Sequence, residues 1–279
     1  AVFSAPAFAD DGDAEPQDHV HPQDSTDIVV TAAFTRDRFA LPTAATVLEG
    51  DSLARNMRTT IGETLASQPG VTSSFFGPNA SRPILRGMDS DRVRVLTDGI
   101  GSFDMSNVSA DHAVAINPLA SDRVEVVRGP AALLYGSSAI GGVVNMADRR
   151  IPRVVPPEAV HVDLAGTLSS VADERSIAGT ADVPLGETGL VTHIDGSYTR
   201  TGDYSAGGYV FSKELRAEAA AIGGDAAQAA EARGRVVNSD ARTWDVAGGI
   251  GYVGSGGSLG VSVSHLESNY GIPNSLDLT

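Results

Sequence analysis

The residues of this chain best suited to chemistry are histidines that stand close to carboxylates. His19 and His21 are separated by one residue and lie between Asp18 and Asp24. Two imidazoles flanked by carboxylates supply nitrogen and oxygen ligands that Zn²⁺ accepts, so this segment can gather zinc loosely. The alternative is a polar segment whose histidines bind nothing. His265 is a further candidate, because it stands near the end of a strand-like segment, where a capture loop would begin.

A glycine-rich segment, YGSSAIGG at 135–142, invites two enzymatic interpretations, and residue identity argues against both. A phosphate-cradling loop needs Lys followed by Ser or Thr after its last glycine, whereas Val143 and Val144 follow here. A nucleophile elbow needs the pattern GxSxG, but Ile140 occupies the place of the second glycine. We therefore predict that these glycines allow tight turns and close packing.

The charge and composition of the chain limit the classes of partner that it can bind. The chain has 279 residues, a formal net charge of −15, no cysteine and 42% hydrophobic residues. A nucleic-acid surface needs clustered Lys and Arg to release phosphate counterions, and the sequence has no such cluster, so we expect no nucleic-acid partner. No apolar run approaches the roughly 18 to 20 residues of a membrane-spanning helix.

The elements that would position functional side chains centre on residues 121–147. Charged and apolar residues alternate over 123–128, which predicts a half-buried strand. Gly129-Pro130 ends this strand and begins a short helix that Gly136 can close. A second strand follows over 142–147. Upstream, Thr60 and Glu63 predict a capping box for a helix over 61–67, and the further predicted strands are 71–76, 84–86 and 93–96.

From residue 158 onward the pattern changes to long alternation. The even positions from Val160 to Leu168 are apolar or glycine, with polar residues between most of them, and 190–199 and 244–252 repeat the pattern. Segments of about 10 alternating residues separated by turns are typical of a transmembrane β-barrel with its apolar face outward. The predicted strands are 160–169, 175–184, 190–201, 242–253 and 258–268.

The connections between these strands agree with that prediction. The turns at 184–189 and 254–257 are short, whereas 201–241 is long and polar, as expected for periplasmic turns and an external loop. The composition of 213–235 favours one or two surface helices in this loop.

Five motifs in order resemble the plug domain of TonB-dependent outer-membrane receptors. The resemblance covers residues 27–147 and implies an α+β plug followed by antiparallel transmembrane β-barrel strands, in the outer membrane of a Gram-negative bacterium, with the plug facing the periplasm. Arginines on the plug strands are expected to pair with carboxylates of the surrounding wall: Arg86, Arg94, Arg123 and Arg128. The motifs are DIVVTA at 27–32, ETLASQPGV at 63–71, RPILRGM at 82–88, VRVLTDGI at 93–100 and the segment 121–147.

The resemblance implies that the first motif is a TonB box. An extended strand with unpaired backbone groups can be captured by the edge of a partner sheet. The expected partner is TonB, with its inner-membrane energising complex, and the alternative is an ordinary first strand of the plug. The proposed contact residues are Asp27, Ile28, Val29, Val30, Thr31 and Ala32.

Four parts are expected along the chain. Residues 1–9 end in an AxA-type cleavage site and resemble the tail of a signal peptide. Residues 10–32 are expected to be a disordered N-terminus that carries the TonB box. The plug is assigned to 33–150, and the first barrel strands and loops to 158–279. Since plugged outer-membrane transporters have about 22 strands, we expect the sequence to hold an incomplete barrel with an open edge.

The resemblance also suggests a substrate. Residues 107–119 resemble the corresponding stretch of the zinc-uptake branch, where an Asp-His pair contributes metal ligands, and this points to Asp111 and His112. Two ligands leave a tetrahedral zinc site half built, so the others are expected from further barrel strands. The alternative is that His112 is a capping or structural residue. For His265, the alternation of 259–263 predicts a lipid-facing side chain unless the strand has already ended.

The function that the resemblance implies is therefore TonB-dependent active transport of a scarce nutrient across the outer membrane, by a protein that is not an enzyme and has no catalytic cofactor. Zinc is the first expected substrate. The alternatives are a receptor for a ferric siderophore, haem or cobalamin, and a signalling or adhesion receptor that does not transport. A signalling receptor usually carries an extra folded domain before the TonB box, and residues 10–27 are too few for one.

Overall fold

The computed structural model describes residues 28–29, 36–37, 45–101, 105–109 and 111–273. The first part of the chain forms two helices, α1 (Gly50–Asn56) and α2 (Ile61–Leu65), together with 3-10 helices at Ser90–Arg92, Met105–Asn107, Pro118–Ala120 and Pro130–Tyr135. Its strands are β1 (Ile28–Val29), β2 (Arg36–Asp37), β3 (Ala45–Glu49), β4 (Val71–Ser73), β5 (Pro83–Leu85), β6 (Val93–Thr97), β7 (Ile100–Gly101), β8 (Arg123–Val127) and β9 (Gly142–Ala147).

A five-stranded sheet of order β3-β8-β9-β6-β7 organises this part, which we call the first unit. Strand β8 runs antiparallel to β3 and β9, whereas β9 and β6 are parallel. One face of the sheet and helix α2 bury a common apolar cluster, which includes Leu65, Leu85, Val93, Val124, Val126 and Val144. The helix α2 begins as predicted, because the Thr60 hydroxyl accepts a hydrogen bond from the Glu63 amide at 3.4 Å.

Strand β8 is buried on both faces, so the prediction of a half-buried strand was wrong. A second apolar cluster covers its other face, where Val127 packs with Ala132 of the 3-10 helix at Pro130–Tyr135. Glu125 lies on this strand with no solvent exposure, and Arg123 Nε contacts its Oε1 at 3.0 Å. A buried carboxylate needs such a partner. The charged residues of the alternating pattern therefore pair with each other rather than face water.

The second part of the chain forms another five-stranded sheet, which we call the second sheet. Its order is β10-β11-β12-β15-β16, and all neighbours are antiparallel. An insertion between β12 and β15 contains a hairpin of β13 and β14 and the helices α3 and α4. The elements are β10 (His161–Ser169), β11 (Glu174–Pro184), β12 (Leu190–Thr201), β13 (Tyr204–Tyr209), α3 (Lys213–Ile222), α4 (Gly224–Ala230), β14 (Arg233–Val236), β15 (Ala241–Gly254) and β16 (Gly257–Tyr270).

The two faces of the second sheet differ in chemistry. The outward face leaves large apolar side chains exposed, among them Leu164, Ile177, Ile194, Ile250, Val261 and Val263. The inward face buries small or polar side chains against the first unit, among them Ala178, Asp182, His193, Asp195 and Asp245. An exposed apolar surface of this size suits lipid rather than water.

The edges of the second sheet are β10 and β16, each of which has one neighbouring strand in the described part of the chain. None of the described helices is long and apolar enough to cross a membrane.

The two ends of the second sheet differ in their connections. The insertion end carries the segment 202–240, and Ser169, Thr201, Ala241 and Tyr270 lie there. The linker end is where the chain arrives from the first unit through residues 148–160, and it carries the short turns at 185–189 and 255–256.

We predict that Gly142→Ala destabilises the protein more than Gly136→Ala. Both glycines have positive φ, +140° and +110°. A Cβ on Gly142 would lie 2.8 Å from the Val127 carbonyl oxygen and 2.6 Å from Leu85 Cδ1, whereas Gly136 faces open space. Both variants pay the cost of a positive φ, so we expect Gly136→Ala to lower the free energy of unfolding by about 1–2 kcal/mol. Crowding at Gly142 raises the expected loss for Gly142→Ala to about 2–4 kcal/mol.

Urea unfolding of both variants measures this difference in the free energy of unfolding. Equal losses would contradict the crowding argument.

Candidate functional site

The first unit and the second sheet enclose a cavity of about 270 Å³ toward the insertion end. The segment 113–117 and the start of α2 line it from the first unit. The second sheet forms the wall of the cavity, and we refer to it as the wall. It lines the cavity with residues from the insertion-end halves of β12, β15 and β16: Thr199, Thr243, Leu266, Ser268 and Tyr270. Most of these side chains carry hydroxyl groups, so the cavity is partly polar.

The segment 105–120 is tied to the wall at two points. The backbone amide of Ala113 donates a hydrogen bond to Tyr270 Oη at 2.9 Å. Asn117 Nδ2 donates to Ser197 Oγ at 2.6 Å. These bonds fix two residues that line the cavity, Ala113 and Asn117, so the segment between them has a defined position against the second sheet.

The predicted pair Asp111 and His112 comes together just before the first of these anchors. His112 Nδ1 lies 3.0 Å from Asp111 Oδ1, and Ser109 Oγ donates to the same oxygen. Each side chain of the pair is 44% exposed. The hydrogen bond from Ser109, and then that from His112, hold the pKa of the Asp111 carboxyl below its ordinary value.

This arrangement orients the histidine. An ionised carboxylate only accepts hydrogen bonds, so Nδ1 of His112 carries the proton and the neutral ring keeps its lone pair on Nε2. A histidine held in this way presents Nε2 as a ligand to a metal ion. Among the residues that the structure describes, no group of three or more His, Asp or Glu side chains is arranged to hold a metal. A complete zinc site is therefore not formed here.

Two aromatic residues stand exposed near the insertion end. Phe75 and Phe76 are 62% and 45% exposed. The loop that follows them is fastened to the wall, because Asn79 Nδ2 donates to Thr201 Oγ1 at 3.4 Å and to the Ser239 carbonyl at 3.3 Å. The structure thus places apolar rings on the same side of the first unit as the cavity.

The other predicted site residues are not brought to this cavity. His265 lies on the outward face of β16, as the alternation predicts, with its ring centroid 4.8 Å from that of Trp244. Ile28 and Val29 form β1, which pairs with β2 over two residues. The remaining candidates lie outside the described residues: Asp27, Val30, Thr31, Ala32, His19 and His21.

The sequence analysis did not identify a buried group of charges between the linker and the inward face of the second sheet. Arg150, in the linker, donates from Nε and Nη2 to both oxygens of Asp195 at 3.1 and 3.0 Å. Its Nη2 also lies 2.6 Å from Asp245 Oδ1. The Arg150 side chain is 14% exposed and the two carboxylates 4% and 3%. We call Arg150, His193, Asp182, Asp195 and Asp245 the linker network.

His193 completes the linker network. Its Nδ1 lies 2.7 Å from Asp182 Oδ1, and its Nε2 lies 3.1 Å from Asp195 Oδ2. Since both ring nitrogens face carboxylate oxygens, both carry protons and the ring is a cation. The first unit and the linker cover the His193 side chain, which is buried.

Among the arginines of the first unit, Arg123 departs from expectation. Arg123 pairs with Glu125 of its own strand rather than with the surrounding wall. Arg128 Nη2 donates to Thr46 Oγ1 at 2.8 Å, and burial, followed by the nearby charge of Arg86, lowers the pKa of Arg128. Neither Arg86 nor Arg128 forms an ion pair among the described residues.

Two neighbouring carboxylates, Asp98 and Asp148, lie where the first unit meets the linker. Burial, and then the neighbouring carboxylate of Asp148, raise the pKa of Asp98 to about 6, although Arg153 opposes this shift. Arg153 Nη2 lies 3.4 Å from Asp98 Oδ1. Asp98 has a φ of 50°, a left-handed conformation that Asp and Asn tolerate.

Residues 37–143 match the TonB-dependent receptor plug domain family. The hemin receptor of Yersinia pestis is 35% identical over 123 residues, which cover 43% of this chain and 18% of that receptor. The iron-regulated outer membrane virulence protein of Vibrio cholerae is 32% identical over 155 residues, which cover 53% of this chain and 22% of the relative. The chain thus spans about a fifth of the length of these curated relatives.

Solved structures of siderophore and ferric-catecholate receptors share the fold. The ferric-catecholate import receptor Fiu from E. coli K12 has a TM-score of 0.58 at 18% identity, and the match covers 84% of this chain and 28% of Fiu. The siderophore receptor PirA from Acinetobacter baumannii has a TM-score of 0.57 at 20% identity, with 81% and 32% of the two chains covered.

Residues 37–143 therefore resemble the plug domain of TonB-dependent receptors, and the antiparallel strands that follow share the fold of strands in solved receptors. The matched proteins are named as receptors and as an outer membrane protein, not as enzymes. Their names refer to hemin, iron and siderophores, so the expected membership of the zinc-uptake branch is not supported.

We predict that Arg150→Met destabilises the protein by about 3–5 kcal/mol. The substitution leaves Asp195 and Asp245 buried without their cation, which is the costly way to break a buried ion pair. Arg149→Met is the matched control, because Arg149 is 37% exposed and its ion pairs with Asp122 and Asp163 lie at the surface. The control is expected to lose less than about 1 kcal/mol. Urea unfolding measures both, and similar small losses would show that the linker network does not stabilise the protein.

We predict that Asp98→Asn stabilises the protein by about 1–2 kcal/mol at about pH 8 and has little effect near pH 4. The folded pKa is about 6 and the ordinary value 3.8, so the folded protein holds this proton more tightly. Stability therefore falls as pH rises from about 4 to about 6, and Asn removes that loss.

Calorimetric unfolding at the two pH values checks the Asp98 prediction. The exposed Asp91→Asn is the control and should change stability by less than about 0.5 kcal/mol at either pH. An Asp98→Asn effect that is equal at both pH values would contradict the assignment.

Proposed function

We propose that this chain supplies the plug and the first barrel strands of a receptor that imports an iron chelate, with haem as the first candidate. The receptor lies in the outer membrane of a Gram-negative bacterium, with the plug facing the periplasm. No covalent bond of the substrate changes, and the energy for release comes through TonB. The similarity of the plug region to hemin receptors and to an iron-regulated outer membrane protein supports this proposal.

The orientation of the chain supports an external substrate site. Barrels of this kind keep short turns in the periplasm and long loops outside. The insertion of 202–240 is the long connection, so the insertion end lies outside and the linker end faces the periplasm. The cavity, the exposed Phe75 and Phe76 and the Asp111–His112 pair are then all on the side from which a substrate arrives.

Within the structure, the observation that favours haem is the geometry of His112. Haem iron takes one or two axial ligands from protein, and histidine is a common one. Asp111 holds Nδ1 and leaves Nε2 directed away from the pair, so one ligand of the right kind is in place. Zinc needs four ligands, and the described residues do not assemble them. Exposed aromatic rings add the apolar contact that a porphyrin face requires.

A ferric siderophore is the second candidate. The solved receptors that share the fold are named for siderophores and ferric catecholates, and their identity of 20% or less supports the fold alone. Aromatic side chains such as Phe75 and Phe76 suit a catecholate as well as a porphyrin. Only haem, however, makes direct use of a free His112 Nε2.

The TonB box remains a proposal on Asp27, Ile28, Val29, Val30, Thr31 and Ala32. In the described part, β1 pairs with β2 over the two positions Ile28↔Asp37 and Val29↔Arg36. A pairing of two residues contributes few hydrogen bonds, so its release costs little. Capture of this segment by the edge of a TonB strand is therefore consistent with its short pairing.

We predict that His112→Ala weakens haem binding to the full-length receptor at least tenfold. The substitution removes the proposed axial ligand, and Asp111→Asn should weaken binding less, because it disturbs only the orientation of the ring. His265→Ala is the control, since it removes a histidine from the outward face without touching the cavity.

Haem titration followed by its visible absorbance measures these affinities, and parallel titrations use a ferric catecholate and Zn²⁺. Haem binding unchanged in His112→Ala would exclude His112 as the ligand. Binding of the ferric catecholate alone would favour the second candidate.

A further inference from the structure

Three arginines form one row across the outward face of the second sheet. The register pairs Arg175 of β11 with Arg200 of β12, and Arg200 with Arg242 of β15. All three are exposed, and they share the face of Ile177, Ile194 and Ile250. We call Arg175, Arg200 and Arg242 the arginine row.

The arginine row concentrates like charges that the protein itself does not neutralise. Neighbouring strands are about 4.8 Å apart, and like charges directly opposite each other destabilise a sheet. None of the three guanidinium groups forms an ion pair among the described residues. On the next strand, Asn269 stands opposite Arg242, and it donates a hydrogen bond to Glu267. The sheet thus provides three cations in register and no paired anion.

The position of the arginine row relates it to the membrane. Two residues closer to the linker end, the outward face of the same strands carries Ile177, Tyr198 and Trp244 in register. Aromatic residues of a barrel gather at the boundary between lipid tails and head groups. Two residues along a strand correspond to about 7 Å. The arginine row therefore lies just beyond this boundary, at the depth of the lipid head groups.

We propose that the arginine row binds the phosphate groups of the phosphorylated glycolipid in the outer leaflet. Guanidinium groups bind phosphate through two parallel hydrogen bonds, and a phosphate between two neighbouring arginines removes their repulsion. The net charge of −15 otherwise repels an anionic lipid surface, so a local row of cations offsets that repulsion where the protein meets the head groups. The inference rests on the proposed location and orientation, and it is independent of the substrate.

Lipid binding by the full-length receptor in neutral detergent tests this proposal. The probes are lipid A with both phosphates and lipid A from which both have been removed, each titrated by calorimetry in mixed micelles. We expect Arg200→Gln/Arg242→Gln to weaken binding of the phosphorylated probe at least tenfold. The wild type should bind the dephosphorylated probe as weakly as this variant does. The conservative Arg200→Lys/Arg242→Lys should fall between them, because lysine keeps the charge but loses the paired hydrogen bonds.

The matched control is Lys213→Gln/Arg235→Gln, which removes two positive charges from the insertion without touching the arginine row. It should bind phosphorylated lipid A within twofold of the wild type. Equal binding by Arg200→Gln/Arg242→Gln and the wild type, or equal binding of the two probes, would overturn the proposal.

The haem titration on the same preparations separates this proposal from the transport function. If the wild type binds phosphorylated lipid A but not haem, the result contradicts only the proposed substrate. If it binds haem but not phosphorylated lipid A, the result contradicts only the proposed role of the arginine row.

Discussion

The buried ion pairs between Arg150 and the wall are the interaction on which the arrangement of the two parts depends. A plug and a sheet of strands are each internally hydrogen-bonded, so their mutual position has to come from contacts between them. Arg150 reaches two strands of the wall at once, and His193 joins the same carboxylates from within the sheet. Because these charges are removed from water, any displacement of the linker would leave them unpaired. The exit of the plug is thereby fixed to the inner face of the barrel strands.

The linker network fixes the C-terminal end of the first unit to the second sheet. The C-terminal strand β9 lies between β8 and β6 in the middle of the sheet and continues directly into the linker network. Among the described residues of the N-terminal part, β1 pairs with β2 at Ile28↔Asp37 and Val29↔Arg36. A pull on the proposed TonB box would act at this pairing, whereas the linker network holds the opposite end of the first unit against the second sheet.

The candidate substrate site is also held in place by contacts between the first unit and the second sheet. Hydrogen bonds from Ala113 and Asn117 fix the segment after the Asp111–His112 pair, while the pair itself stays half exposed. Ser109 and His112 both donate to Asp111, so the imidazole is oriented before any ligand arrives. Orientation of a single ligand by a neighbouring carboxylate lowers the ordering cost of binding. Such a pre-oriented imidazole suits the proposed iron chelate, which brings most of its own ligands.

The sequence by itself determined the elements that depend on local pattern. Alternation placed the five strands of the second sheet within about two residues of their observed ends, and glycine, proline and capping residues located the turns and α2. The plug motifs were recognisable for the same reason, since each is a short strand or turn. The TonB box and the division into four parts stay predictions.

Only the tertiary structure decided which of these residues meet. Arg150 lies in an irregular linker, so no periodicity could connect it with Asp195 and Asp245. The burial of Glu125 depends on a 3-10 helix that covers β8 from the far side. The arginine row exists because the register of three strands aligns residues that are 25 and 42 positions apart in the chain. Local pattern fixes the face on which a side chain lies, whereas its partner is fixed by register and packing between distant segments.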